Sequence, residues 1–208
     1  MEALRIDSTK PFLMDGTIVE DVWMLKRMQC QVKKYETNPV MRRTHEYEGC
    51  GPYLHGTVLR DPDAGQFRMW YQSFRYLEDG VHYTYDVHYA VSSDGIHWEK
   101  PVLGVVEHLG SRNTNVLMKG HSRIGAPCVL HEPNDPDPKR RYKMVYLDAL
   151  RGQWDGICVA FSEDGIRWEP YPGNPVIPGH SDTRELPNAK AVGLPASQSR
   201  LLPQLHRR

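Results

Sequence analysis

The chain has 208 residues, 26 of them basic and 26 acidic, and a formal net charge of zero. Balanced, interspersed charge leaves no electrostatic footprint for nucleic acid, and no apolar run reaches the length of a membrane-spanning helix. The length suits one or two domains.

The first residues, Met1-Glu-Ala-Leu-Arg-Ile-Asp7, contain no apolar h-region, so no signal peptide is expected and the expected location is cytoplasmic. Cys30, Cys50, Cys128 and Cys158 are widely spaced and form no CxxC pair. They read as free thiols, mostly buried, with no metal site and no cofactor expected.

From residue 56 the chain says one sentence twice, and an internal repeat decides architecture before anything else does. Residues 56–60, 67–71 and 86–91 are rich in Val, Tyr, Met and Trp and are bounded by Asp, Pro and Gly turns, which predicts three strands. Ser92-Ser-Asp-Gly95 is the next turn, and Trp98 is expected to open a fourth strand. The second copy has strands at 127–131, 142–146 and 157–161, the turn Ser162-Glu-Asp-Gly165, and Trp168. The Asp-Gly pairs suit tight turns that need a positive φ. Asp94, Asp164, Trp98 and Trp168 are therefore structural in this reading, the aspartates capping turns and the tryptophans packing between sheets. Four short strands per repeat make one blade of a β-propeller, and no stretch has sustained helical periodicity.

Asn38-Pro-Val-Met41, Asn113-Thr-Asn-Val-Leu117 and Asn174-Pro-Val-Ile177 echo one another and are taken to introduce blades. The expected organisation is a partial propeller over 1–183, with blade units at about 38–110 and 113–172 and a third opening at 174–183. Residues 184–208 contain no Trp, Tyr or Phe and are expected to form a disordered or out-of-frame tail. Met69, Trp70, Tyr71, Met144 and Tyr146 are the predicted core. Two blades alone would leave apolar faces uncovered, so self-association through exposed blade faces is expected.

The order of Phe12-Leu-Met-Asp-Gly-Thr-Ile-Val19, Asn38-Pro-Val-Met41, Tyr47-Glu-Gly49, Met69-Trp-Tyr71, Ser92-Ser-Asp-Gly95 and Trp98-Glu-Lys-Pro101 resembles a group of bacterial proteins. These are the glycosyl hydrolase family 32 N-terminal-like or family 43-like five-bladed β-propellers. Asp135-Pro-Asp-Pro-Lys-Arg-Arg-Tyr-Lys-Met144 and His180-Ser-Asp-Thr183 share the likeness, which covers about residues 10–183. The resemblance implies an all-β partial five-bladed propeller, truncated after about two blades, from a protein that hydrolyses oligosaccharides or polysaccharides. Carbohydrate is the implied partner.

Glycoside hydrolysis uses two carboxyl groups across the scissile bond, one protonated and one ionised. In a propeller the loops leading into the innermost strands ring one mouth. The first such loop carries Glu46, Glu48, Tyr53 and His55, the second His121 and Arg123, and the third Asp182. Glu48 and Asp182 are the candidate catalytic carboxylates. His55, His121 and Arg123 are the candidate substrate-binding residues, orienting hydroxyls or holding a substrate carboxylate. The plain alternative for each acid is a solvated surface charge. Arg60-Asp61-Pro62 matches a family 32 catalytic triplet, but its register places it in a hairpin turn. The alternative functional reading is a non-catalytic carbohydrate-binding or protein-interaction propeller, favoured if aromatic platforms occur without paired acids.

Overall fold

The computed structural model describes residues 23–24, 26, 28–62, 64–78, 80, 83–119, 124–149 and 155–179. The chain divides into two compact units, Met1–Glu36 and Thr37–Arg208. The described residues of the first unit form no strand, and its Trp23, Met24, Met28 and Val32 are exposed. The predicted tail at 184–208 and the last part of the expected third opening lie outside the described residues.

The second unit is nearly all β. Its described residues form the strands β1 (Pro52–Arg60), β2 (Phe67–Tyr76), β3 (Tyr83–Ser92), β4 (Val116–Met118), β5 (Ile124–His131), β6 (Tyr142–Ala149), β7 (Asp155–Ser162), β8 (Glu169–Pro170) and β9 (Ile177–Pro178). The described helical content is two single 3-10 turns, Glu46–Glu48 and Pro138–Arg140. Strands β1-β2-β3-β4 form one antiparallel sheet, and β5-β6-β7-β8 form the other, with β9 also paired to β7. Two antiparallel meanders of this kind, in sequence, are two blades of a partial propeller.

The first three strands of each repeat lie where the sequence puts them. The fourth does not. After Trp98 only Glu99 pairs, in a single bridge with Val91, and the edge strand resumes at β4, which pairs with Val87 and His88. The second copy repeats this division: β8 pairs with Ala160 and Phe161, and β9 with Gly156 and Ile157. The outer edge is thus a broken strand because an intervening loop carries the chain away from the sheet. The asparagine echo is its second anchor. Asn115 exchanges bonds with the backbone of Tyr89, accepting from its N–H and donating to its carbonyl, at 3.0 and 2.7 Å. Asn174 does the same to Val159 through its side chain, 2.9 Å each way. In both repeats the echo closes the edge of the sheet just made.

The Ser-x-Asp-Gly turns are built alike. Asp94 Oδ1 accepts from the N–H groups of Ile96 and His97, and Asp164 Oδ1 from those of Ile166 and Arg167. Gly95 and Gly165 sit at φ +78° and +75°, conformations that other residues adopt at a cost. The Trp98 and Trp168 indoles donate to the carbonyls of those glycines at 3.0 and 3.1 Å. These residues are structural, as their spacing implies.

Strand alternation sends Arg68, Trp70 and Gln72 toward the second sheet and Met69, Tyr71 and Ser73 away from it. The predicted core residues Met69, Trp70, Tyr71, Met144 and Tyr146 are all buried. Trp70 packs with Tyr89, Tyr142 and Met144 in the cluster between the sheets. Its indole donates to Gly165 O at 2.8 Å. Arg68 lies against the rings of Trp70, Tyr89 and Tyr142, and donates to both tyrosine hydroxyls and to Asp164 O. The turn of the second sheet is thereby fastened to the first. Gly56 allows the close approach of β1 to β2, since a Cβ there would stand 1.7 Å from Trp70 O.

The outer face of the first sheet is not bare. Met41 and Trp98 pack on Met69, Tyr71 and Ala90, and Gly49 bridges to Phe74. Half of the thiols, not most, are buried: Cys128 and Cys158 lie inside and Cys30 and Cys50 are exposed, because the latter two fall in irregular segments outside the sheets.

Replacing Arg68 with alanine removes three donated bonds and three ring contacts at once. We expect a loss of about 3 kcal/mol, read as a lower urea midpoint. Retention of the wild-type midpoint would show that the clamp is dispensable.

Candidate functional site

Two groups of side chains stand out on the first sheet. One is a buried polar network under residues 44–48. Glu48 is fully buried. Its carboxylate accepts from Thr44 N (2.9 Å), His45 N (3.1 Å), Tyr71 Oη (3.0 Å) and Lys100 Nζ (2.7 and 2.8 Å). Burial alone would raise the Glu48 carboxyl, but Lys100 and the two backbone N–H groups outweigh it and hold the group below the usual carboxylate range. The network continues from Tyr71 to Asn115 Nδ2 at 2.9 Å. Asn115 Oδ1 then meets Tyr47 Oη at 3.1 Å and His88 Nδ1 at 3.2 Å, and His88 Nε2 meets Ser73 Oγ at 2.7 Å. The rings of His45, Tyr47, His88 and Tyr71 stack in series. Burial holds the His88 imidazole down to about 4 and also pushes His108 down.

Glu48 is therefore neither the solvated surface charge of the plain reading nor a carboxylate facing solvent. No local pattern marks its burial, because the partner cation lies 52 residues away. One signal was present. Lys100, His88 and Ser73 occupy positions where the second copy has Pro170, Cys158 and Asp148, whereas Tyr71 and Asn115 are matched by Tyr146 and Asn174, so the network is a shared Tyr–Asn pair extended at places where the repeats differ.

The other group is an aromatic ledge. Tyr53, Tyr76, Tyr83 and Tyr85 surround Phe74, with ring centroids 5.0 to 6.4 Å from it. Tyr53 starts β1, Phe74 and Tyr76 end β2, and Tyr83 and Tyr85 start β3, so the ledge sits at the end of the sheet where the leading loop enters. Tyr53, Tyr76 and Tyr83 are 43%, 55% and 38% exposed. His55 is exposed on β1 at the same end, and Glu46 is exposed in the 3-10 turn. His121, Arg123 and Asp182 lie outside the described residues. Asp61 sits in the β1–β2 hairpin, where its N–H donates to Gln66 O and its carboxylate accepts from Ala64 N, as the register of Arg60-Asp61-Pro62 implies.

No family model matches the chain. It is similar to an uncharacterized protein of Mycobacterium tuberculosis (strain CDC 1551 / Oshkosh), with 33% identity over 107 residues, 51% of this chain and 30% of that protein. An uncharacterized protein of the same species (strain ATCC 25618 / H37Rv) is 32% identical over an equal stretch. The chain thus spans about a third of the length of the curated relatives it matches. Among solved structures it is similar to a glycoside hydrolase, at TM-score 0.41 and 21% identity, covering 59% of this chain and 32% of that one. A glycosyl hydrolase from Bacteroides ovatus matches at TM-score 0.39 and 20% identity, covering 60% and 31%. The Bombyx mori GH32 beta-fructofuranosidase matches at 0.34 and 21%, covering 57% and 22%.

Two outcomes follow from the buried network. Glu48→Gln leaves the Lys100 ammonium buried without its counter-charge and is expected to cost about 3–5 kcal/mol, measurable by chemical denaturation. His88 stays neutral in the fold while an unfolded imidazole titrates near its ordinary value of about 6.5. Its contribution is complete above about pH 6.5 and is lost as pH falls toward 4, a drop of up to ~3 kcal/mol. In His88→Gln the stability–pH curve should flatten over that window. An unchanged acid limb would place the loss elsewhere.

Proposed function

We propose that this chain is the carbohydrate-contacting part of a five-bladed, glycoside-hydrolase-like propeller protein that acts on oligosaccharides or polysaccharides. The observation that carries this reading is the ledge of three exposed tyrosines set around Phe74 at the leading end of the first sheet. Aromatic rings offer a flat apolar surface to the C–H face of a sugar, and tyrosine adds a hydroxyl that bonds at its edge. A cluster of large rings left in water at one end of a domain also marks a binding surface. His55, with His121 and Arg123, would orient hydroxyls or a substrate carboxylate beside it.

A second reading is hydrolysis by Glu48 and Asp182. It would require Glu48 to exchange its present donors for substrate, and the four groups that hold it favour the binding role.

Both readings are open to one set of titrations with neutral oligosaccharides of several linkages. Binding to at least one of them is expected, weakened at least about tenfold by Tyr76→Ala or Tyr53→Ala with the circular dichroism unchanged. If no oligosaccharide binds, or if the tyrosine variants bind as well as wild type, the ledge is not a sugar platform. Release of reducing ends by wild type, abolished in Asp182→Asn, would instead establish the second reading.

A further inference from the structure

A hollow lies away from the aromatic ledge. It has a volume of about 400 Å³, within the size range of small-molecule sites. Two segments distant in sequence form it: residues 37–45, which run along the outer face of the first sheet, and residues 96–100, which follow the Ser-x-Asp-Gly turn. Its chemistry is one-sided. Arg42, His45, His97 and Lys100 line it, with Trp98 and Met41 supplying apolar wall, and no aspartate or glutamate is among its lining residues. Glu48 neutralises Lys100 and Asp94 holds His97 from behind, so the charge left facing the hollow is that of Arg42, with imidazole donors beside it.

The hollow is also built rather than incidental. Lys100 forms its floor, with a side chain only 7% exposed. Besides neutralising Glu48, the Lys100 ammonium donates to Arg42 O at 2.8 Å and Thr44 Oγ1 at 3.0 Å, and so fixes the backbone of the opposite wall. The Trp98 ring is held by its indole bond to Gly95 O. The His97 ring is held through Nδ1, 2.7 Å from Asp94 Oδ2, which leaves Nε2 for a ligand. Arg42 is exposed, and its guanidinium has the planar fork that matches a carboxylate.

We infer that this hollow binds an anionic sugar of the uronic acid class, its carboxylate drawn to Arg42 and the two imidazoles and its ring set against Trp98. The choice of a sugar over other carboxylates rests on the carbohydrate reading above; the donor-lined, tryptophan-walled site does not. Because this site and the tyrosine ledge involve different residues, failure of one is separable from failure of the other.

The test is a titration of the full chain followed by nitrogen–proton NMR at the Trp98 indole and the His45 and His97 amides. Galacturonate, galactose and inorganic phosphate are the three probes. Galacturonate is expected to shift these signals saturably in the roughly millimolar range, with galactose and phosphate each about tenfold weaker. Arg42→Glu should lose at least about tenfold in galacturonate affinity; Arg42→Gln, which keeps the backbone carbonyl and a neutral side chain, should fall between. Equal response to galactose or to phosphate, an unaffected Arg42→Gln, or no shift at Trp98 overturns the proposal. Shifts confined to the residues around Tyr53 and Tyr76 would overturn it while leaving the ledge in place.

Discussion

The structure depends on how one sheet takes hold of the next. Arg68 and Trp70 of the first sheet reach across to the carbonyls of Asp164 and Gly165 in the second. A guanidinium and an indole N–H are costly to bury alone. Turn carbonyls have no strand partner to satisfy them. Each group answers the other's need, and the apolar bodies of Trp70, Tyr89, Tyr142 and Met144 fill the space around them. The turn can present its carbonyls only because Ser162 and Asp164 hold its shape from within. The repeated motif is thus both the end of a hairpin and the socket for the neighbouring sheet.

Most of this framework was legible in the sequence. Strand positions followed from the alternation of Val, Tyr, Met and Trp between Gly and Asp turns, and the duplicated Ser-x-Asp-Gly-x-x-Trp fixed their number per repeat. The fourth strand was misplaced because Trp98 and Trp168 lie next to the sheet without continuing it. The pairing is divided between a residue beside each tryptophan and a segment after each asparagine echo, and the loop between them carries no period. The candidate site was less legible. Glu48 was found as a residue, but its environment depends on Lys100, Tyr71 and Asn115, contributed by distant segments. Irregular backbone such as residues 37–50 has no pattern from which burial can be read. The ledge escaped notice for a different reason: Phe74, Tyr76, Tyr83 and Tyr85 lie beyond the strands read at 67–71 and 86–91, and only the longer observed strands and their cross-strand register gather them at one end.

The buried network also explains how residues 44–48 are held against a sheet with which they share little regular pairing. One carboxylate, fully enclosed, receives bonds from its own turn, from a strand tyrosine and from the lysine after Trp98. Removing charges from water is unfavourable unless the geometry is well satisfied, and here every oxygen is engaged. The same lysine shapes the floor of the donor-lined hollow, so the polar core and the wall of that hollow share one ammonium.

The two sheets face the same way around. Trp70 looks forward into the cluster that holds Met144 and Tyr146, whose counterparts in the first sheet, Met69 and Tyr71, look backward. Such a contact is head-to-tail: the donating face differs from the receiving face, and neither is complementary to itself. Contacts of this kind build rings when the rotation closes and open-ended stacks when it does not. The receiving face of the first sheet is occupied by Met41, Glu48 and Trp98 from the chain's own residues. In a closed ring the last blade would therefore have to seat against this strap of irregular chain, where the second sheet receives the indole and guanidinium of a strand.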